Sequence, residues 1–220
     1  MKELIDKFFK ENPVDSKTPS AAALAHFRLT MESNPESDTI LHEKMDELIY
    51  KFKPEREAES LPERKEIESA TSPEQVIRFM RRHTDAMNQR LLIDKALEFE
   101  DELISEIVSR LKTSLNDGFI ELSIRVLAKS KTNVAEQLAG YYDDMRHPYA
   151  QSMVLVLLGF IADESYIPWI IEKYSELKRL YPNESYCEGA SYALYEIENR
   201  FYPTGKQKKK LPTSGQVGPK

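Results

Sequence analysis

Ten consecutive residues, Met153 to Ala162 (MVLVLLGFIA), are apolar or glycine without one polar break. Asp163-Glu164-Ser165 follows, and a second apolar pattern opens at Ile167-Pro168. The run falls far short of the roughly 20 residues that span a bilayer. Protein, not lipid, has to cover it. A helix on the surface of a protein shows a single apolar stripe, whereas one that is oily all round must be enclosed all round. Residues 148–162 are therefore expected to form an interior helix with other helices packed on both flanks.

The rest of the chain can supply those neighbours. A hydrophobic share of 40% supports a folded core and a charged share of 31% supports a well-solvated surface. Glycine is scarce, with seven residues in 220, and no stretch alternates β-branched and polar residues between regular turn signals. Both features argue against all-β and doubly wound folds. The expected class is all-α.

Helical periods follow one another from residue 73 onward, at about 73–83, 85–98, 100–113, 117–130, 133–145, 148–162, 165–181 and 184–201. Ser72, Pro73 and Gln75 open the first with an N-cap, a proline at the first helical position and a capping-box partner. Asn116, Asn133, Ser165 and Asn183 stand where later N-caps are wanted. Cys187, Ala190, Leu194, Ile197 and Phe201 keep the 3, 4, 3, 4 spacing of a buried seam, as do Ile167, Ile170, Tyr174, Leu177 and Tyr181.

Before residue 73 the reading is coarser. Residues 1–52 form an N-terminal helical segment, with helices expected at 2–11, 20–33 and 39–52. Residues 53–72 lose nearly all large apolar side chains and alternate in charge, so they read as an exposed linker or a loosely held charged helix. Residues 73–202 form the main helical domain, and 203–220 a disordered basic tail.

Internal similarity recurs at a spacing of 30 to 36 residues: VLAKSKTNVAEQL (126–138) aligns with LLGFIADESYIPWI (157–170), and ALYEIEN (193–199) with LLGFIAD (157–163). The segment HPYAQSMVLVLLGFIADESYIPWIIEKY (147–174) resembles the HEAT-repeat family. The features that carry the resemblance are an aliphatic helix ending Leu158-Gly159, a turn holding Asp163, and Ile167-Pro168 opening the next helix. It is weaker over 85–146 and 184–202. The Asp turn and Ile-Pro pair are missing from KSKTNVAEQL, and the arginine common in the second helix of such repeats has no counterpart near Gln151. The Trp, Leu-Gly and Tyr spacing of tetratricopeptide repeats is not present, and other antiparallel helical hairpins remain the alternative. The resemblance implies a right-handed stack of antiparallel helical hairpins, a HEAT-like α-solenoid.

It also implies where a partner would bind, because the second helix of each hairpin generally lines the concave side of such arrays. Carried over, that face comprises Glu188, Tyr192, Tyr195, Asn199 and Tyr202 on 184–201, Ser152 and Val156 on 148–162, and Glu121 and Arg125 on 117–130. Tyrosine suits such a surface because it buries a large ring and keeps a hydroxyl to pair. The competing reading is that these tyrosines cap the end of the stack or receive the N-terminal helices. The implied function is a non-catalytic adaptor for a protein or peptide, with a structural subunit of a larger assembly as the alternative.

Other classes find little support. Residues 1–70 carry 16 acids and 11 bases and residues 71–202 carry 21 and 15, so the body is near −11 and the tail from Pro203 adds five lysines. Nucleic-acid binding needs clustered Lys and Arg. A glycosylase like the HEAT-like alkylpurine DNA glycosylases would need a basic, aromatic cleft, and phycobilin lyases share only the generic repeat. His26, His42, His83 and His147 show no metal-ligand spacing, and no cofactor or small-molecule substrate is expected. Arg78, Arg81 and Arg82 read as ordinary dipole complementation at a helix end. Cys187 stands alone. Asp6 and Glu11 interrupt the apolar core a leader would need, so a cytoplasmic setting is expected.

Overall fold

The computed structural model describes residues 1–13, 51, 53 and 55–203. The helices expected at 20–33 and 39–52, and the tail beyond Pro203, lie outside the described residues. Within them the chain is all-helical: ten α-helices, two short 3-10 turns and no strand. The helices are α1 (Lys2–Glu11), α2 (Glu55–Glu68), α3 (Pro73–Arg81), α4 (Ala86–Glu98) and α5 (Glu100–Leu111), then α6 (Asp117–Lys129), α7 (Ala135–Tyr141), α8 (Pro148–Ile161), α9 (Ile167–Leu180) and α10 (Glu188–Phe201).

The helix starts follow local chemistry. Ser72 Oγ accepts from the Gln75 amide, while Gln75 Oε1 reaches back to the Thr71 amide at 2.7 Å, a capping box shifted by one residue. Asn116 and Asn133 each do two things. Their carbonyl oxygens accept from Phe119 N and Ala135 N at 2.8 and 2.9 Å. Their amides donate to Arg81 O and Ile161 O, so each side chain also ties the start of its helix to the end of another, Asn116 as the N-cap of α6 and Asn133 from one residue before the N-cap of α7. Ser165 is not the cap expected of it. Asp163 takes that part, accepting from Ser165 N at 2.8 Å. Asn183 stays in the turn before α10, which opens at Glu188 without a side-chain cap.

Five helices touch in succession: α2 packs on α4, α4 on α6, α6 on α8, and α8 on α10. The others pack beside this row, α3 and α5 on both α4 and α6, α7 on α8, and α9 on α10. The all-round apolar helix α8 is buried from Ser152 to Gly159, as its composition requires. Gly159 and Gly189 explain how closely α10 approaches it. A Cβ on Gly159 would lie 2.6 Å from Ala193 Cα, and one on Gly189 2.2 Å from Ser152 O. No side chain fits either contact, so the glycines are there for space and not for backbone freedom. Arg200 then closes the C-terminal end of α8, donating to Gly159 O at 2.6 Å and Ala162 O at 2.8 Å.

Residues 55–68, the stretch read as an exposed linker or loosely held charged helix, form α2, and polar contacts seat it on the start of α4. Asn88, wholly buried, donates to Ser60 O at 3.0 Å and Glu63 Oε2 at 2.8 Å. Arg56 meets Asp85 at 2.6 Å, and Ile67 and Ala70 supply the apolar contact. Ile67 is the one buried apolar side chain within α2, with Ala70 just beyond it, so hydropathy gives no sign of the helix.

At the other end, α1 packs on α9 and α10. Ile5 and Phe8 are buried, Phe8 meets Tyr174 edge-on at 4.8 Å, and Tyr174 donates to Asn12 Oδ1 at 3.0 Å. Lys2 pairs with Glu198 at 2.9 Å and lies over the Tyr202 ring. Two of the C-terminal tyrosines therefore receive the N-terminal helix.

Replacing Gly189 with alanine is expected to cost about 2 kcal/mol and to lower Tm by roughly 4–8 °C for a chain this size, read by calorimetry. A ten-residue helix is marginal by itself. Phe8→Ala should therefore release α1 locally: its amides exchange hydrogen roughly 100-fold faster while those of α8 keep their protection.

Candidate functional site

The residues expected to share a concave face are divided between surface and interior. On α10, Glu188, Tyr192 and Asn199 are half-buried and Tyr195 is exposed at 38%. Tyr192, Tyr195 and Asn199 each make polar, ring or electrostatic contacts. Tyr202 is engaged by the fold itself, donating its hydroxyl to Glu164 in the turn before α9 and carrying Lys2 over its ring. Ser152 and Val156 are buried on the stripe of α8 that ends at Gly159, and Ser152 lies directly under Gly189. Ser152 thus belongs to the seam between α8 and α10, closed because two glycines allow backbone contact.

Glu121 and Arg125, one turn apart on α6, form the best-defined polar group on the row. Arg125 is 8% exposed and donates Nη1 to Gln89 Oε1 on α4 at 2.8 Å. Glu121 accepts from the Tyr149 hydroxyl on α8 at 2.7 Å. One polar chain thereby links three successive helices of the row. Burial pushes the Arg125 guanidinium below its ordinary value, opposed by the Glu121 carboxylate and Tyr149. Burial first, and then the hydrogen bond to Glu121, pushes the Tyr149 phenol up. The tyrosine stays a neutral donor and the arginine keeps its charge with partners on both sides.

Sequence reasoning missed Gln89 and Tyr149. A signal for Gln89 was present: it lies 36 residues before Arg125, within the repeat spacing of 30 to 36. Tyr149 lies only 28 residues from Glu121 and had no comparable marker.

Two further features were visible as types but not as contacts. Trp169, half-buried, packs edge-on against Tyr142 at 5.1 Å. Both rings lie beside Lys173, 5% exposed, which pairs with Asp143 and Glu176 at 2.8 Å each. Asp143 therefore answers a lysine on α9. His147 caps α8, its Nδ1 accepting from Tyr149 N at 3.1 Å.

The second feature is a groove of about 670 Å³ beside α3 and α5, bordered by Arg78, Arg81, Arg82 and Arg110. The first three had been assigned to dipole complementation, and Arg110 joins them only through the packing of α5.

Among the described residues no group of three or more His, Cys, Asp or Glu side chains is gathered as a metal site would be. No described helix is long and apolar enough to cross a membrane. Comparison with known proteins finds no matching family model, no matching curated protein and no matching solved structure.

Truncating Arg125 to alanine leaves Glu121 with Tyr149 alone and is expected to cost about 3 kcal/mol, or roughly 6–12 °C in Tm. Replacing Arg125 and Glu121 together with leucine should restore most of that loss, measured as the coupling in a double-mutant cycle.

Proposed function

We propose that this protein is a non-catalytic adaptor built on a short HEAT-like array, a right-handed stack of antiparallel helical hairpins. The observation that carries the reading is the succession of contacts α2–α4–α6–α8–α10, each member of the row packing on the next. Arrays of stacked repeats are held together by nearest neighbours in this way, and their length gives them an extended binding surface. The Gln89–Arg125 and Glu121–Tyr149 bonds support it, because they brace neighbouring helices at intervals close to the repeat length.

On this reading the row formed by the second helices is the recognition side, and its ligand is a protein or peptide in the cytoplasm. Tyr195 on α10 is its anchor. Its ring is the most exposed of the face residues on that helix, and its neighbours Tyr192 and Asn199 are half-buried, as a ring of partly covered residues around a hot spot would be. Glu121 and Arg125 serve as the rigid polar part of the face, Ser152 and Val156 as the packing beneath it.

Affinity capture from the cells that express the chain tests this, comparing wild type with Tyr195→Ala at matched melting temperature. A partner held in stoichiometric amount by wild type and reduced at least fivefold in the variant supports the adaptor. About 1–2 kcal/mol from one exposed aromatic would be enough for that change. A stoichiometric partner held equally by both would remove the tyrosine face, and no partner on either would remove the adaptor.

A further inference from the structure

Arg78, Arg81 and Arg82 occupy the last turn of α3 and the residue after it, and Arg110 the last turn of α5. Two of the four are committed within the fold. Arg82 pairs with Glu66 at 2.7 Å and lies 4.5 Å from the centre of the Phe79 ring, and Arg110 pairs with Glu106 at 2.6 Å. Arg78 and Arg81 have no acidic partner among the described residues. Arg78 only flanks the Phe79 ring, at 5.9 Å, and Arg81 is engaged through its backbone carbonyl, by Asn116. Both side chains are exposed.

The cavity they border is polarised. Glu74 and Glu102, in the first turns of α3 and α5, line one end of the 670 Å³ groove, Arg81, Arg110 and Asn116 line the other, and Glu106 lines it too, paired with Arg110. Beyond that basic end lies a second cavity of about 490 Å³. It shares Arg81, Arg110 and Asn116, adds Thr113, Ser114 and Leu115, and has no carboxylate in its lining. Leu115, at the tip of the α5–α6 turn, is 71% exposed, the highest value of any large apolar side chain described.

Charge and shape select the occupant. The uncommitted Arg81 guanidinium shares a cavity with the exposed leucine and Arg78 stands one turn back along the groove, an order that fits peptide carboxylates followed by an apolar side chain. A nucleic-acid backbone or other uniform polyanion fits poorly, because Glu74, Glu102 and Glu106 face the same groove and oppose a continuous line of negative charge, whereas separate carboxylates can meet the two arginines alone. It would also leave Leu115 unused. We infer that the groove between α3 and α5 docks an acidic peptide segment of a partner protein, with carboxylates on Arg78 and Arg81 and an apolar side chain on Leu115.

This site is separate from the row face. It uses none of Tyr192, Tyr195, Glu121 or Arg125, so either reading can fail while the other stands. The chain's net charge of −6 makes the test sharp, since an acidic peptide gains nothing from the protein surface as a whole.

The experiment is fluorescence anisotropy with the full chain and a labelled dodecapeptide that pairs glutamates with leucines. A peptide with lysines in place of the glutamates and a single-stranded oligonucleotide are the comparisons. The expected result is saturable binding of the acidic peptide alone, weakening with added salt. Arg78→Glu with Arg81→Glu should reduce it by about tenfold or more, and Leu115→Ser should reduce it with Tm unchanged. Failure of the acidic peptide to saturate overturns the inference. So does equal binding of the lysine peptide or the oligonucleotide, or an unchanged affinity in the folded double variant.

Discussion

Backbone meets backbone between α8 and α10, and much of the C-terminal half follows from that contact. With no room for a Cβ at Gly159 or Gly189, the two helices lie closer than side chains would ordinarily permit. α8 can then bury Ser152 through Gly159 with no solvent-facing side at all. That burial is a large favourable contribution, since each fully enclosed leucine gives about 1.5–3 kcal/mol and Leu155, Leu157 and Leu158 are all enclosed. The position of α10 then decides the rest. It places Arg200 over the open carbonyls of α8, and it offers α1 a face on which Lys2 finds Glu198 and Tyr202.

Polar side chains within the core are few, and Asn88, Arg125 and Lys173 each bond to another element. Asn88 joins α4 to α2, Arg125 joins α6 to α4, and Lys173 joins α9 to the turn after α7. Such groups contribute less to net stability than their geometry suggests, because desolvation offsets most of the attraction. Their effect is on register. An apolar seam tolerates a slide of one helix along another, whereas a guanidinium and a carboxamide 2.8 Å apart do not. This rigidity supports the proposed adaptor, since an array that presents side chains to a partner has to hold the spacing between its helices.

How much of this was legible in the sequence depended on whether the signal was local. The eight helices from residue 73 onward appear at or near their expected places, because period and caps are properties of neighbouring residues: Ser72 and Asn116 cap as their spacing suggests, and Asn133 bonds Ala135 N from one residue before the cap position. The two misplaced caps failed for a local reason too, since the short 3-10 turn after Asp163 and the turn before Glu188 shift the helix starts by two to four residues. The helix at 55–68 was hidden because Asn88, Arg56 and Glu63, not an apolar stripe, hold it. The candidate face was legible in part. Of the residues expected on it, Tyr195 stands exposed and Glu121 and Arg125 lie one turn apart on α6, whereas Ser152 and Val156 are buried.

By itself the sequence determined the helical class, the positions of most helices and the necessity of enclosing residues 148–162, because periodicity, capping and hydrophobicity act between residues close along the chain. The tertiary structure alone decided which helix covers which. It turned Gly159 and Gly189 into a contact surface, sent Tyr174 and Tyr202 to receive α1, and brought Arg110 beside Arg78 and Arg81. Those outcomes depend on distances between segments tens to nearly two hundred residues apart, and no local pattern encodes them.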